Sequence, residues 1–75
     1  MDIIQNIKYV LSERNITGSQ MSRDLGFSSG SFSQWTNGRS KISIDNLHKI
    51  AEYLNVSIDY LLGRTQNQNA HKKLT

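Results

Sequence analysis

The apolar residues of this chain recur at intervals of three and four, the spacing that places side chains on one face of a helix. Ile3, Ile4, Ile7, Val10 and Leu11 form the first such stripe behind Asp2 and Gln5, which are spaced as a capping box, so a helix is expected over residues 3 to 13. Lys8, Glu13 and Arg14 fall off that stripe and read as a solvated face. Met21 and Leu25 mark a second helix, which Thr17 is suited to cap and whose first turn Gly18 weakens slightly. Phe32 and Trp35 mark a third. Ser28 is expected to cap it, and Asn37-Gly38 to end it in left-handed backbone. Between these two helices stands Gly26, which accepts the left-handed conformation without steric cost, so the chain can turn sharply with Phe27 plugging the corner.

The longest stripe follows. Ile44, Leu47, Ile50, Ala51 and Leu54 repeat at helical spacing after Ser43, a good cap, with Asp45 near the positive end of the helix dipole. Asn55 is expected to close this helix and Val56 to return to the core. Ser57 then caps a short last helix that turns Ile58, Leu61 and Leu62 inward and stops at Gly63. Helices of roughly 11, 8, 9, 11 and 5 residues joined by short loops make an all-α, compact five-helix bundle over residues 1 to 63. Residues 64 to 75 have almost no apolar content and no periodicity, and read as a flexible polar tail or linker.

Composition narrows the picture. With 75 residues, no cysteine and 36% hydrophobic residues, the chain is one small domain that rests on a single apolar core, without disulfide or thiolate-metal support. The formal net charge of +3 favours an acidic partner without naming one. No apolar run is long enough to span a bilayer, and the amino terminus starts on an acidic residue, so no membrane partner and a cytoplasmic location are expected. His48 and His71 have no second ligand at metal-binding spacing, which argues against a metal or cofactor. No catalytic triad order and no phosphate-cradling glycine loop is present, so no enzyme is expected.

What remains distinctive is the stretch from Thr17 to Gly38. Two short helices meet at a tight turn, and the second carries an exposed polar face in front of buried aromatics. This is the pattern of a helix-turn-helix, whose second helix enters the major groove of DNA. Three segments extend the likeness. They are Met21-Ser22-Arg23-Asp24-Leu25-Gly26-Phe27-Ser28, Phe32-Ser33-Gln34-Trp35-Thr36-Asn37-Gly38-Arg39, and the run from Leu47 to Gly63 ending in Leu61-Leu62-Gly63. Together they resemble the phage repressor and Cro type of helix-turn-helix domain, the lambda-repressor-like fold, over residues 3 to 63.

The resemblance implies sequence-specific binding of double-stranded DNA as a transcriptional regulator, most simply a repressor on a palindromic operator with a homodimer bound. Carried over position by position, the base-reading residues are Ser29, Gly30, Ser31 and Gln34 on the first turns and outer face of helix 3. Gln34 has both a donor and an acceptor and suits adenine, whereas Gly30 allows close approach and reads nothing itself. The phosphate-binding residues implied are Thr17, Gly18 and Ser28, then Asn37, Arg39, Ser40 and Lys41, through helix amides and cationic side chains. Gly18 stands where the family often carries glutamine, Thr36 where it often carries an acid, and Ser22 where it often carries alanine. The polar ending fits a complete small regulator or, preferably, the DNA-binding half of a longer repressor. An alternative is a protein-interaction module on the same scaffold, such as a small antitoxin or adaptor using an exposed Tyr53, Tyr60 and the tail. The scaffold also admits an antirepressor or other protein partner.

Overall fold

Four of the five helices among the described residues begin where the sequence supplies a side-chain cap. In the computed structural model, which describes residues 2 to 69, they are α1 (Ile3–Glu13), α2 (Gly18–Leu25), α3 (Ser31–Thr36), α4 (Ile44–Leu54) and α5 (Ile58–Leu61). Asp2 accepts from the Gln5 amide at 2.8 Å, Thr17 from Gln20 at 3.0 Å, Ser43 from Asn46 at 3.2 Å and Ser57 from Tyr60 at 3.0 Å. Each oxygen satisfies a first-turn amide that has no partner inside its helix, a contact worth about 1 kcal/mol. At the other ends, Gly26 (φ 75°) and Asn55 (φ 58°) turn left-handed and stop α2 and α4 as their sequences imply.

Helix α3 departs from expectation. It spans six residues and is capped by Gly30, not by Ser28, and no side chain bonds to its first turn. The cause is local: Gly30 takes φ 86°, which breaks the helical run, and the Ser31 amide closes a tight turn onto the Ser28 carbonyl at 3.1 Å. Ser29 and Gly30 therefore belong to the turn that leads into α3, not to its first helical turn. At the far end Asn37 keeps negative φ, and Gly38 (φ 81°) makes the left-handed step.

The core draws on every helix. Ile7, Val10 and Leu11 of α1, Met21 of α2, Trp35 of α3, Leu47, Ile50, Ala51 and Leu54 of α4, Val56, and Tyr60 and Leu61 of α5 are all buried. Helix α1 packs on α5, α4 on α5, and α2 on both α3 and α4, so α2 links the α3 arm to the rest. Ile44 was expected to face inward but is 60% exposed, because it is the first residue of α4 and the stripe outruns its cover there. Tyr60, expected at the surface, is buried under the α1–α5 contact.

Two off-stripe residues at the end of α1, Glu13 and its C-cap Arg14, have structural work. The Arg14 guanidinium donates to the Leu54 carbonyl at the end of α4, and Glu13 accepts from the Gln68 side chain at 3.2 Å. Asn6 is buried although polar, and its Nδ2 donates to the carbonyls of Tyr60 (3.3 Å) and Leu61 (3.1 Å). One side-chain amide thereby ties α1 to the last turn of α5, where the Tyr60 carbonyl also accepts from the Gly63 amide at 3.0 Å. The stretch after Gly63 turns back on the domain: Arg64 pairs with Asp59, and the Gln68 carbonyl accepts from the Ser57 amide at 2.6 Å. Residues 70 to 75, the rest of the expected tail, and with them His71, lie outside the described residues.

Candidate nucleic-acid interface

Three aromatic rings set the position of α3. Phe27 meets Trp35 edge to face at 5.3 Å and 79°, and Phe32 meets Trp35 at 6.3 Å and 85°, an arrangement ring quadrupoles favour. Trp35 is buried, and the two phenylalanines are half buried around it. With those rings on the inner side, Ser29, Gly30, Ser33, Gln34 and Thr36 are exposed, while Ser31 is half buried at the first residue of α3.

The approach of α2 to α3 is unusually close at one point. A Cβ placed on Gly18 would fall 2.6 Å from Cδ2 and 2.7 Å from Cε2 of Phe32, so the ring occupies the space a side chain would need. The glutamine common at this position in the family has no room here unless Phe32 moves. What α2 offers at its start is the Thr17 hydroxyl, already used as a cap, and the first-turn amides of Gly18 and Ser19.

Between α2 and α3 lies an open groove of about 700 Å³. Thr17, Gly18, Ser28, Ser29 and Gly30, all singled out in the sequence, line it together. Ser19, Ser22 and Arg23 of α2, Ser33 and Thr36 of α3, and Lys8 of α1 complete its walls, with Phe27 and Phe32 behind them. Sequence reasoning passed over Lys8 and Arg23. Lys8 lies off the stripe of α1, and nothing in the linear order announces that α1 borders the α2–α3 groove.

The other sequence-selected residues form a second group at the end of α3. The Gln34 carbonyl accepts from the Arg39 amide at 2.9 Å and from the Ser40 amide at 3.3 Å, which folds the basic loop against the helix. Asn37 Oδ1 accepts from the Arg39 amide at 3.0 Å, so its carbonyl end is engaged and its Nδ2 remains the donor end. Arg39, Ser40 and Lys41 are exposed, and the amides of the first two bond to Gln34. Exposed hydroxyl residues and Gln34 are thus held in front of an aromatic wall, with a basic loop bonded through its amides to the end of α3.

A family model for the Cro/C1-type HTH DNA-binding domain matches residues 6–67. The chain belongs to this family. It is also similar to the cryptic phage CTXphi transcriptional repressor RstR of Vibrio cholerae serotype O1, with 40% identity over 50 residues. That match covers 67% of this chain and 45% of the relative, so the chain spans about half the length of the curated relative it matches. No solved structure matches the chain at a significant level.

In this Cro/C1-type domain the acidic side chains keep away from the groove. Asp24 neighbours Arg23 in sequence, yet its carboxylate is taken by the Tyr53 hydroxyl at 2.6 Å, which ties α2 to α4. That hydrogen bond raises the Tyr53 pKa above its ordinary value of 10.0, as a hydrogen bond to Glu13 does for Tyr9. His48 is exposed on α4, and among the described residues no group of three or more potential metal ligands occurs. No helix among the described residues is long and apolar enough to cross a membrane.

Proposed function

We propose that this Cro/C1-type domain binds double-stranded operator DNA as the recognition part of a cytoplasmic transcriptional repressor. It places α3 and the turn before it in the major groove, and a homodimer occupies a palindromic site with recognition helices about 34 Å apart. The observation that carries this reading is the exposure of Ser29, Gly30 and Gln34 in front of the Phe27–Trp35–Phe32 wall. The similarity to a phage repressor supports the regulatory role.

Within this reading Gln34 pairs with an adenine edge, and Ser29 and Ser31 make less selective contacts with neighbouring bases. Gly30 lets the backbone approach. Thr17, Gly18 and Ser28 meet one phosphate strand through amides and hydroxyls, and Asn37, Arg39, Ser40 and Lys41 meet the other flank. Selection on random duplexes should return a two-fold symmetric site. Gln34→Ala should relax preference at one base pair per half-site, a loss of about 1 to 3 kcal/mol of discrimination. Lys41→Ala should weaken every sequence alike and lower the salt slope by about 0.9. Equal loss on every sequence for Gln34→Ala would reject its role. Selection that enriches no sequence would reject the function.

A further inference from the structure

The proposed contacts account for Arg39 and Lys41 but leave two cations of the groove without a task. Lys8 reaches it from α1 and Arg23 from α2, on walls shared with Thr17, Gly18, Ser28 and Ser29. Both are exposed, and neither has an ion-pair partner among the described residues.

The charge pattern is one-sided. The chain has six acidic residues, and none of them lines the groove. Asp2 caps α1, Asp24 is bound by Tyr53 toward α4, Glu13 accepts from Gln68, Asp45 lies in the first turn of α4, Glu52 is exposed near the end of α4, and Asp59 pairs with Arg64. Two cations, five serine or threonine residues on the α2 side and turn, and the opening residue of α2 thus line a space with no carboxylate to compete. A long lysine or arginine stem lets the charge sit at the rim while its methylenes rest on the protein.

Building on the reading above, we infer that Lys8 and Arg23 form a second phosphate clamp, in which the groove between α2 and α3 takes the sugar-phosphate strand on the side away from Arg39 and Lys41. The DNA contact then runs from α1 across the start of α2 to α3, and the duplex is gripped on both flanks of the recognition helix. Continuity supports this occupant: the same groove contains Ser29 and Gly30, so a duplex seated on those residues brings its backbone over Lys8 and Arg23. Such contacts position the duplex and carry no sequence information. They also release condensed counterions, which gives them a distinct experimental signature.

The test is fluorescence anisotropy of the full chain on a labelled random-sequence duplex and on the selected operator, across a salt series. Lys8→Gln and Arg23→Gln should each lower the slope of log K against log salt by about 0.9, and the double variant by about twice that. Operator and random duplex should weaken by the same factor. Lys8→Arg and Arg23→Lys should restore the slope, and Lys49→Gln, an exposed cation of α4 outside the groove, should leave it unchanged. Thermal unfolding of each variant at the wild-type midpoint shows that the domain is intact; for a variant that unfolds early, the slope of its charge-conserving partner decides. The clamp is overturned if the glutamine variants keep the wild-type slope while Lys41→Gln lowers it, a result that leaves the operator reading standing. It is also overturned if Lys49→Gln costs as much, since net charge alone would then explain the effect, or if the loss is confined to the operator. Failure of the wild-type chain to bind either duplex would overturn the clamp and the operator reading together.

Discussion

Replacing Gly18 with alanine puts a methyl group where the Phe32 ring already is. The added Cβ would sit 2.6 Å and 2.7 Å from two ring carbons, well inside the 3.5 to 4.0 Å or so at which carbon atoms attract. In an open helix the same change would stabilise by up to about 1 kcal/mol, and by less at a first helical residue such as this one. Here the ring must rotate or shift, and it is not free to do so, because its edge-to-face contact with Trp35 at 6.3 Å is part of what holds α3. Displacing well-packed side chains costs about 1 to 3 kcal/mol. The clash therefore outweighs the propensity gain, and Gly18→Ala should destabilise the domain by about 1 to 2 kcal/mol net, or a midpoint shift of about 4 to 8 °C for each kcal/mol. The assay is urea unfolding followed by Trp35 fluorescence, which reports from the affected cluster. A double-mutant cycle with Phe32→Leu isolates the cause: the smaller side chain should recover much of the loss, with a coupling of about 1 kcal/mol. A stabilised Gly18→Ala variant, or two substitutions whose effects simply add, would refute the argument that the ring excludes a side chain at this position.

Two further outcomes follow from the contacts that hold the other helices. Asn6→Ala removes the side-chain amide that donates to the Tyr60 and Leu61 carbonyls and leaves the Leu61 carbonyl without its side-chain partner, so stability should fall by about 1 to 3 kcal/mol in urea, and no loss would show that water replaces the amide. The Tyr53–Asp24 bond should be sensitive to alkali: with the Tyr53 pKa raised in the folded state, its contribution is complete below the ordinary value of 10.0 and is lost as pH rises through the folded value. The stability difference between wild type and Tyr53→Phe should accordingly be constant near neutrality and vanish at strongly alkaline pH, whereas a difference that persists there would mean that the hydroxyl acts by packing alone.

The order and kind of the helices were legible in the sequence because local forces set them. A cap hydroxyl and the amide it satisfies are three residues apart, as at Thr17 and Gln20, and a stripe such as Leu47, Ile50, Ala51 and Leu54 fixes its own period. The left-handed residues Gly26 and Asn55 follow from the same short-range sterics. Even the exposure of Ser33, Gln34 and Thr36 could be read from Phe32 and Trp35, since residues of a short helix on the side away from two packed aromatics face outward.

Where packing decided, the linear pattern fell short. Ser28 has the chemistry of a cap, but the turn closed by Gly30 moved the start of α3 past it. Tyr60 and Arg14 look like surface residues until α1 and α4 are brought beside them, and Asn6 has a role only because the end of α5 lies against it. The groove is the clearest case. Lys8 is ten residues from Gly18 and more than twenty from Ser33, and only the docking of α1, α2 and α3 makes them walls of one space. Short-range geometry determined which segments are helices and which side chains they show; contacts between residues distant in the chain determined which of those side chains could act together.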